Sequence, residues 1–166
     1  DDVLPVPPNA REKLNGSGFT PYIFTHDEMR LIFDAADNWK SQGASYVRCA
    51  PLLFRLLYGT GLRINEALSL TAGDISIRQE MLLVREAKND NSRLVPMSQS
   101  LSGRVADYLS AHGYPEGEPV FQHDGGKQFS TNTAYDWFRQ TLWKAGIPHR
   151  GRGKGPRLHD VRHTFA

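Results

Sequence analysis

Two arginines and a histidine stand where their side-chain chemistry has a use. Arg63 directly follows the run GTGL, at the start of a short segment wedged between apolar stretches. Arg162 lies three residues after His159 in LHDVRHTFA. Side chains at i and i+3 share a helix face, so these two can converge on one ligand. A guanidinium presents a planar fork that matches two oxygens of a phosphate, which a lysine cannot do. Two such forks and an imidazole donor suit a phosphoryl group gaining negative charge in a transition state. Each arginine also has a plainer reading as an ion-pair partner, and Glu66, three residues after Arg63, could fill that role. Lys88 sits at the strand end that opens the turn KNDNS. A lysine there can reach into a groove and protonate a leaving oxygen, or can simply stay solvated.

His159 and His163 admit a second chemistry. HDVRH places two imidazoles at i and i+4, the spacing with which HExxH motifs hold zinc. Asp160 is shorter than the glutamate base such sites use, an arginine stands between the ligands, and no third ligand is evident. These features argue against a metal. The sequence contains no GxxxxGKS/T, no GxGxxG after a strand and no GxSxG. The runs GTG (59–61) and GGK (125–127) are too short to cradle a phosphate.

The elements that must position these residues follow from periodicity and punctuation. Residues 1–22 hold Pro5, Pro7, Pro8, Gly16, Gly18 and Pro21 with little periodicity, and read as a linker or arm. Thr25 and Glu28 form a capping box ahead of a helix over 26–40, whose apolar face is Met29, Ile32, Phe33, Ala36 and Trp39. Pro51 starts or kinks a second helix, PLLFRLLY, apolar nearly all round and therefore buried. Gly59, Thr60 and Gly61 stop it before a short helix, RINEALSL. The period then changes: ISI (75–77), MLLVRE (81–86) and RLVPM (93–97) predict a three-stranded antiparallel sheet. A helix around Leu101, Val105, Tyr108 and Leu109 follows, then a glycine-rich loop over 113–128. The next helix, around Ala134, Trp137, Phe138, Thr141 and Leu142, is capped by Ser130 or Thr131 and closed by Gly146 and Pro148. LHDVRHTFA opens a last helix, expected to be loosely held beyond about residue 158.

Composition narrows the function classes. The 166 residues are 39% hydrophobic and 23% charged, ordinary for one globular domain. No apolar run approaches the roughly 20 residues of a membrane helix. Cys49 is the only cysteine, which excludes an internal disulfide and any zinc site built on two cysteines, and points to a reducing, cytoplasmic setting. The net charge of +2 names no partner, but residues 1–83 carry −2 and residues 84–166 carry +4. Lys144, Arg150, Arg152, Lys154, Arg157 and Arg162 crowd a glycine- and proline-rich stretch with one acid, Asp160. Such a stretch invites a polyanion such as nucleic acid, or is a solvated basic loop.

Taken together, LLYGTGLRINEALSL, the hairpin lysine in REAKNDNSRLVPM, and LHDVRHTFA resemble the tyrosine recombinase (phage integrase) family in order, spacing and wording, over about residues 52–166. FTPYIFTHDEMRLIFDAAD resembles the opening of that family's catalytic domain. The resemblance implies an α+β fold, mainly helical with a small three-stranded antiparallel sheet: an integrase-like DNA breaking–rejoining core over 23–166. Arg63 and Arg162 would clamp the scissile DNA phosphate, His159 would bond it and assist proton transfer, and Lys88 would protonate the 5′-oxygen. Glu66 and His163 would support the site without touching DNA, while Arg93, Arg150, Arg152, Lys154 and Arg157 would contact the DNA. Ala87 and Asn89 flank Lys88 where many relatives have a glycine, a departure from the pattern. The chemistry needs no metal or other cofactor, because cationic side chains neutralise the phosphate and a tyrosine supplies the covalent nucleophile. All six tyrosines precede HDVRH, and none holds the family's nucleophile position. The expectation is therefore a catalytic domain cut short, unable to cleave alone, from a parent of a mobile element that has a further N-terminal helical domain and forms a homotetrameric synapse on double-stranded DNA. A relative that binds DNA without breaking it is the alternative.

Overall fold

The computed structural model describes residues 20–40, 42–85, 91–150 and 155–165. Within them the architecture is mainly helical with one small antiparallel sheet, as the sequence pattern predicts. Helix α1 spans His26–Asn38. Thr25 Oγ1 accepts the Glu28 N–H, and the Glu28 carboxylate accepts the Thr25 N–H, so two orphan amides of the first turn are satisfied. Met29, Ile32 and Ala36 carry the buried stripe. Of the expected arm, residues 1–19 lie outside the described residues. Tyr22 donates to Glu28, and Phe24 is already part of the core.

Helix α2 spans Ala44–Thr60 and is the axis of the fold, with the other helices packed around it. It begins well before Pro51, so of the two readings the sequence leaves open, a start or an interior kink, the proline is not the start. An interior proline removes a backbone hydrogen bond and costs a helix about 3 kcal/mol. Burial outweighs that cost, because Tyr46, Cys49 and Ala50 before the proline and Leu53, Phe54 and Leu57 after it all face the core. A large apolar side chain so buried contributes ~1.5–3 kcal/mol. Gly61 ends the helix in the left-handed conformation (φ +66°), and its N–H donates to the Leu57 carbonyl.

A five-residue helix, α3 (Ile64–Leu68), and a 3₁₀ turn (Ala72–Asp74) lead into the sheet. The strands are β1 (Ile75–Ser76), β2 (Met81–Arg85) and β3 (Ser92–Pro96), in that order and antiparallel. Leu82 faces Val95 and Val84 faces Arg93. Directly opposed residues share a sheet face, so Arg93 lies on the face whose Leu82 and Val84 are buried. Helix α4 (Gln99–His112) is capped by Ser98, and α5 (Thr131–Lys144) by Ser130. The loop between them is tied back to the segment before the sheet, where Ala72 and Gly73 donate to Glu118 and Glu116.

The last helix, α6 (Leu158–Phe165), is not loosely packed. Leu158 and Val161 are buried against α2, and the Phe165 ring covers Gly61 so closely that a Cβ there would collide with it. Thr164 Oγ1 donates to the Asp160 carbonyl and accepts the Phe24 N–H. The amphipathic spacing of LHDVRHTF has found its apolar partner, which the sequence reading did not anticipate.

Candidate active site

The site is organised around a carboxylate. Glu66 is the third residue of α3, and its Oε2 reaches back to accept the Arg63 backbone N–H at 2.8 Å. That bond fixes the entry to α3 and with it the direction in which Arg63 leaves the chain. Oε1 accepts Arg63 Nη1 only at 3.4 Å. The strong partner is Arg93, whose Nη1 and Nη2 donate to the two oxygens at 2.9 Å each. Arg162 Nη1, coming from α6, stands 4.0 Å from Oε2. Three guanidiniums from three elements thus meet at a side chain only 10% exposed.

Their states differ. Arg63 is 57% exposed and Arg162 30%. Arg162 Nη1 is closed off from solvent, yet it has no hydrogen-bond acceptor among the described residues. A buried donor in that condition is costly unless a ligand completes it. Burial alone would raise the Glu66 pKa, but the Arg93 hydrogen bonds, the Arg63 N–H and both positive charges outweigh it and hold the carboxyl below its usual range. Glu66 is therefore an anion among cations, and the cluster keeps a net positive charge.

His159 lies on the same helix as Arg162, one turn earlier, with an exposed ring. Partial burial and then the charges of His163, Arg162 and Arg157 hold its pKa below the ordinary histidine value, with Asp160 pulling the other way. The ring is neutral near pH 7, a donor at one nitrogen and an acceptor at the other. His163 packs edge-on against it at 4.9 Å between centroids. Among the described residues, no group of three His, Cys, Asp or Glu side chains could hold a metal ion.

The start of α6 is held by a residue that sequence reasoning passed over. Asp160, 1% exposed, accepts the Arg157 backbone N–H at 2.8 Å and its Nε and Nη2 at 3.2 and 3.1 Å. An acid in a helix's first turn three residues after an arginine was the available signal. Arg157, expected on DNA, thus spends donors on Asp160. Arg93, also expected on DNA, spends its fork on Glu66. Arg150 is exposed. Lys88, Arg152 and Lys154 lie outside the described residues. At the end of β2, Arg85 donates to the buried Asp74 at 2.9 Å. Beside His159 a cleft of about 410 Å³ has an apolar floor of Phe138, Leu142 and Leu158 and a rim that includes Tyr135 and Arg157. Tyr46 and Tyr108, in contrast, are buried and hydrogen-bonded, to Thr141 and to the Val120 carbonyl.

A mainly helical core with a small three-stranded antiparallel sheet is the fold of tyrosine recombinase catalytic domains. The model of the phage integrase family matches residues 23–166, and the chain belongs to that family. It is 33% identical to tyrosine recombinase XerA of Pyrococcus horikoshii, over 88% of this chain and 46% of that protein. The crystal structure of XerA recombinase superimposes with a TM-score of 0.71 at 25% identity, covering 88% of this chain and 49% of that one. The lambda integrase tetramer bound to a Holliday junction shares the fold at a TM-score of 0.65 and 19% identity, over 90% of this chain and 43% of that one. The chain spans about half the length of the curated relatives it matches. Among the described residues, no helix is long and apolar enough to cross a membrane.

Proposed function

We propose that these residues form the phosphate-activating part of a site-specific recombinase that cuts and rejoins double-stranded DNA through a phosphotyrosyl intermediate. The observation that carries the reading is a pair of guanidiniums, Arg63 and Arg162, which approach one place from separate elements, Arg63 largely exposed and Arg162 Nη1 without an acceptor among the described residues. A scissile phosphate bound there takes both forks on its non-bridging oxygens, and His159 adds a neutral donor. Charge that develops on phosphorus substituents in the transition state then meets fixed positive groups rather than reorganising water. A tyrosine hydroxyl gives its proton to the free ring nitrogen of His159 as its oxygen forms the new bond to phosphorus, the bond to the 5′-oxygen breaks, and that oxygen takes a proton from Lys88. Glu66 holds Arg63 in place, and Asp160 holds the helix turn that carries His159.

In this reading the nucleophile is a tyrosine outside residues 1–166, and these residues alone do not cleave. Tyr46 and Tyr108 are too buried for their hydroxyls to reach a bound duplex. Double-stranded DNA as partner and an assembly of four copies are carried over from the lambda integrase complex by likeness of fold. Arg150 and the basic stretch through Arg157 supply backbone contacts, which give affinity that falls with salt but no sequence readout. The test is covalent trapping. The whole protein, mixed with a nicked duplex bearing its recombination site, should yield a denaturation-resistant protein–DNA adduct. Residues 1–166 alone and the Arg162→Ala whole protein should yield none. Adduct formation by Arg162→Ala at the wild-type level would overturn the assignment, whereas DNA binding by the whole protein with no adduct would identify a binding relative that does not cut.

A further inference from the structure

The oxygens of Glu66 are shared unevenly among its neighbours. Oε1 accepts Arg93 Nη1 at 2.9 Å and Arg63 Nη1 at 3.4 Å. Oε2 accepts Arg93 Nη2 at 2.9 Å and the Arg63 N–H at 2.8 Å. Arg162 Nη1 remains at 4.0 Å, buried and without an acceptor among the described residues. A largely shielded carboxylate beside a buried guanidinium nitrogen without an acceptor should close on it, because a charged hydrogen bond gained there satisfies that nitrogen. It does not close, and the reason is that both oxygens already carry Arg93's fork. The fork's position is set by the sheet, because the pairing of Arg93 with Val84 puts it on the face turned toward α3.

We propose that Arg93 is a positioning residue: it occupies Glu66 so that the carboxylate cannot capture Arg162, and thereby leaves that guanidinium for the phosphate. The inference rests on the reading of the site as a phosphate clamp. It also separates two uses of arginine in one cluster. Arg93 neutralises the glutamate, and Arg162 Nη1 is thereby held at 4.0 Å, short of a hydrogen bond to it. Removing Arg93 would not merely delete a positive charge near the site. It would turn Glu66 from the anchor of Arg63 into a competitor of the substrate as well.

Inorganic phosphate is the probe, titrated into the chain while the guanidinium resonances of Arg162 are followed by NMR. Wild type should bind phosphate, with Arg162 shifting on saturation. Arg93→Ala should bind on the order of tenfold more weakly, and its Arg162 signal should already sit at a carboxylate-bonded position before phosphate is added. Adding Glu66→Gln to Arg93→Ala removes the competing charge, and the double variant should recover most of the lost affinity. A residue that only props the fold would give a double variant no better than the single one. Arg93→Lys, which keeps the charge but offers no fork, should fall between wild type and Arg93→Ala, and serves if Arg93→Ala fails to fold in a thermal melt. Equal affinity in Arg93→Ala and wild type, or no recovery in the double variant, overturns the inference while leaving the clamp standing. Absence of phosphate binding in wild type would instead remove the clamp, and this inference with it.

Discussion

Arg55 and Arg162 are both arginines on helices of the same core, each beside a carboxylate, and they are treated in opposite ways. Arg55 donates to both oxygens of Asp37 at 2.8 and 2.7 Å and to the Pro51 carbonyl at 3.1 Å, and its guanidinium lies 4.7 Å over the Phe33 ring. Its side chain is only 12% exposed, and its fork is spent. Arg162 reaches its carboxylate only to 4.0 Å and keeps a buried nitrogen unbonded among the described residues. Folding alone would favour the first arrangement everywhere. An arginine kept from its nearest acid marks a place where a ligand completes the bonding, and this criterion needs no comparison with other proteins.

The contrast can be broken most forcefully by a crossed pair of substitutions. Arg162→Ala or Arg63→Ala in the whole protein should reduce strand cleavage by on the order of a hundred- to a thousandfold, as loss of a preorganised donor does. Thermal stability should move by less than about 1 kcal/mol, because neither side chain holds a close ion pair. Arg55→Ala should do the reverse, lowering stability by about 2 kcal/mol in chemical melts while the folded fraction cleaves normally. Loss of stability in Arg162→Ala equal to that in Arg55→Ala would erase the distinction.

Gly61→Ala comes next. The left-handed backbone and the Phe165 ring both oppose a Cβ there, so the variant should lose roughly 1–3 kcal/mol and displace α6. A drop in cleavage larger than the unfolded fraction explains would then report the shift of His159 and Arg162.

A smaller effect sharpens the role of Glu66. Its pKa is depressed in the fold, so it stabilises the protein above the ordinary glutamate range, and that contribution drains away as pH falls through the folded value. Glu66→Gln should cost about 1–2 kcal/mol at pH 7 and flatten the acid limb of a stability curve measured by urea melts. The smallest effect is at His159. Its depressed pKa means that acidification below about 6.5 favours the unfolded chain, and stability declines as pH falls toward the folded value. Histidine NMR should place its midpoint below that value in the free chain, and phosphate should move it upward.

What the sequence made legible was local. Thr25 and Glu28 define the start of α1 through a capping box three residues wide, and the turn chemistry around Asn91 separates β2 from β3 as the alternation predicts. His159 and Arg162 are legible for the same reason, since one helix turn carries both. The start of α2 was hidden because Gly43 offers no side-chain cap and Pro51 mimics a beginning. The assignment of Glu66 to Arg93 was hidden more deeply. Arg63 is the nearer candidate along the chain, and only the strand register decides that a residue 27 positions away takes both oxygens. Long-range pairing of opposite charges carries no periodic signature.

One bond has a consequence in time as well as in space. The Phe24 N–H and Thr164 Oγ1 join across a separation of 140 residues, and the helix they anchor carries His159 and Arg162. On a ribosome adding roughly 5–20 residues per second, Arg63 emerges several seconds or more before Arg162. Throughout that interval the nascent chain has one cation of the pair and no partner for it. The arginine cluster around Glu66 is thus incomplete in every unfinished copy, however well its first helices have folded.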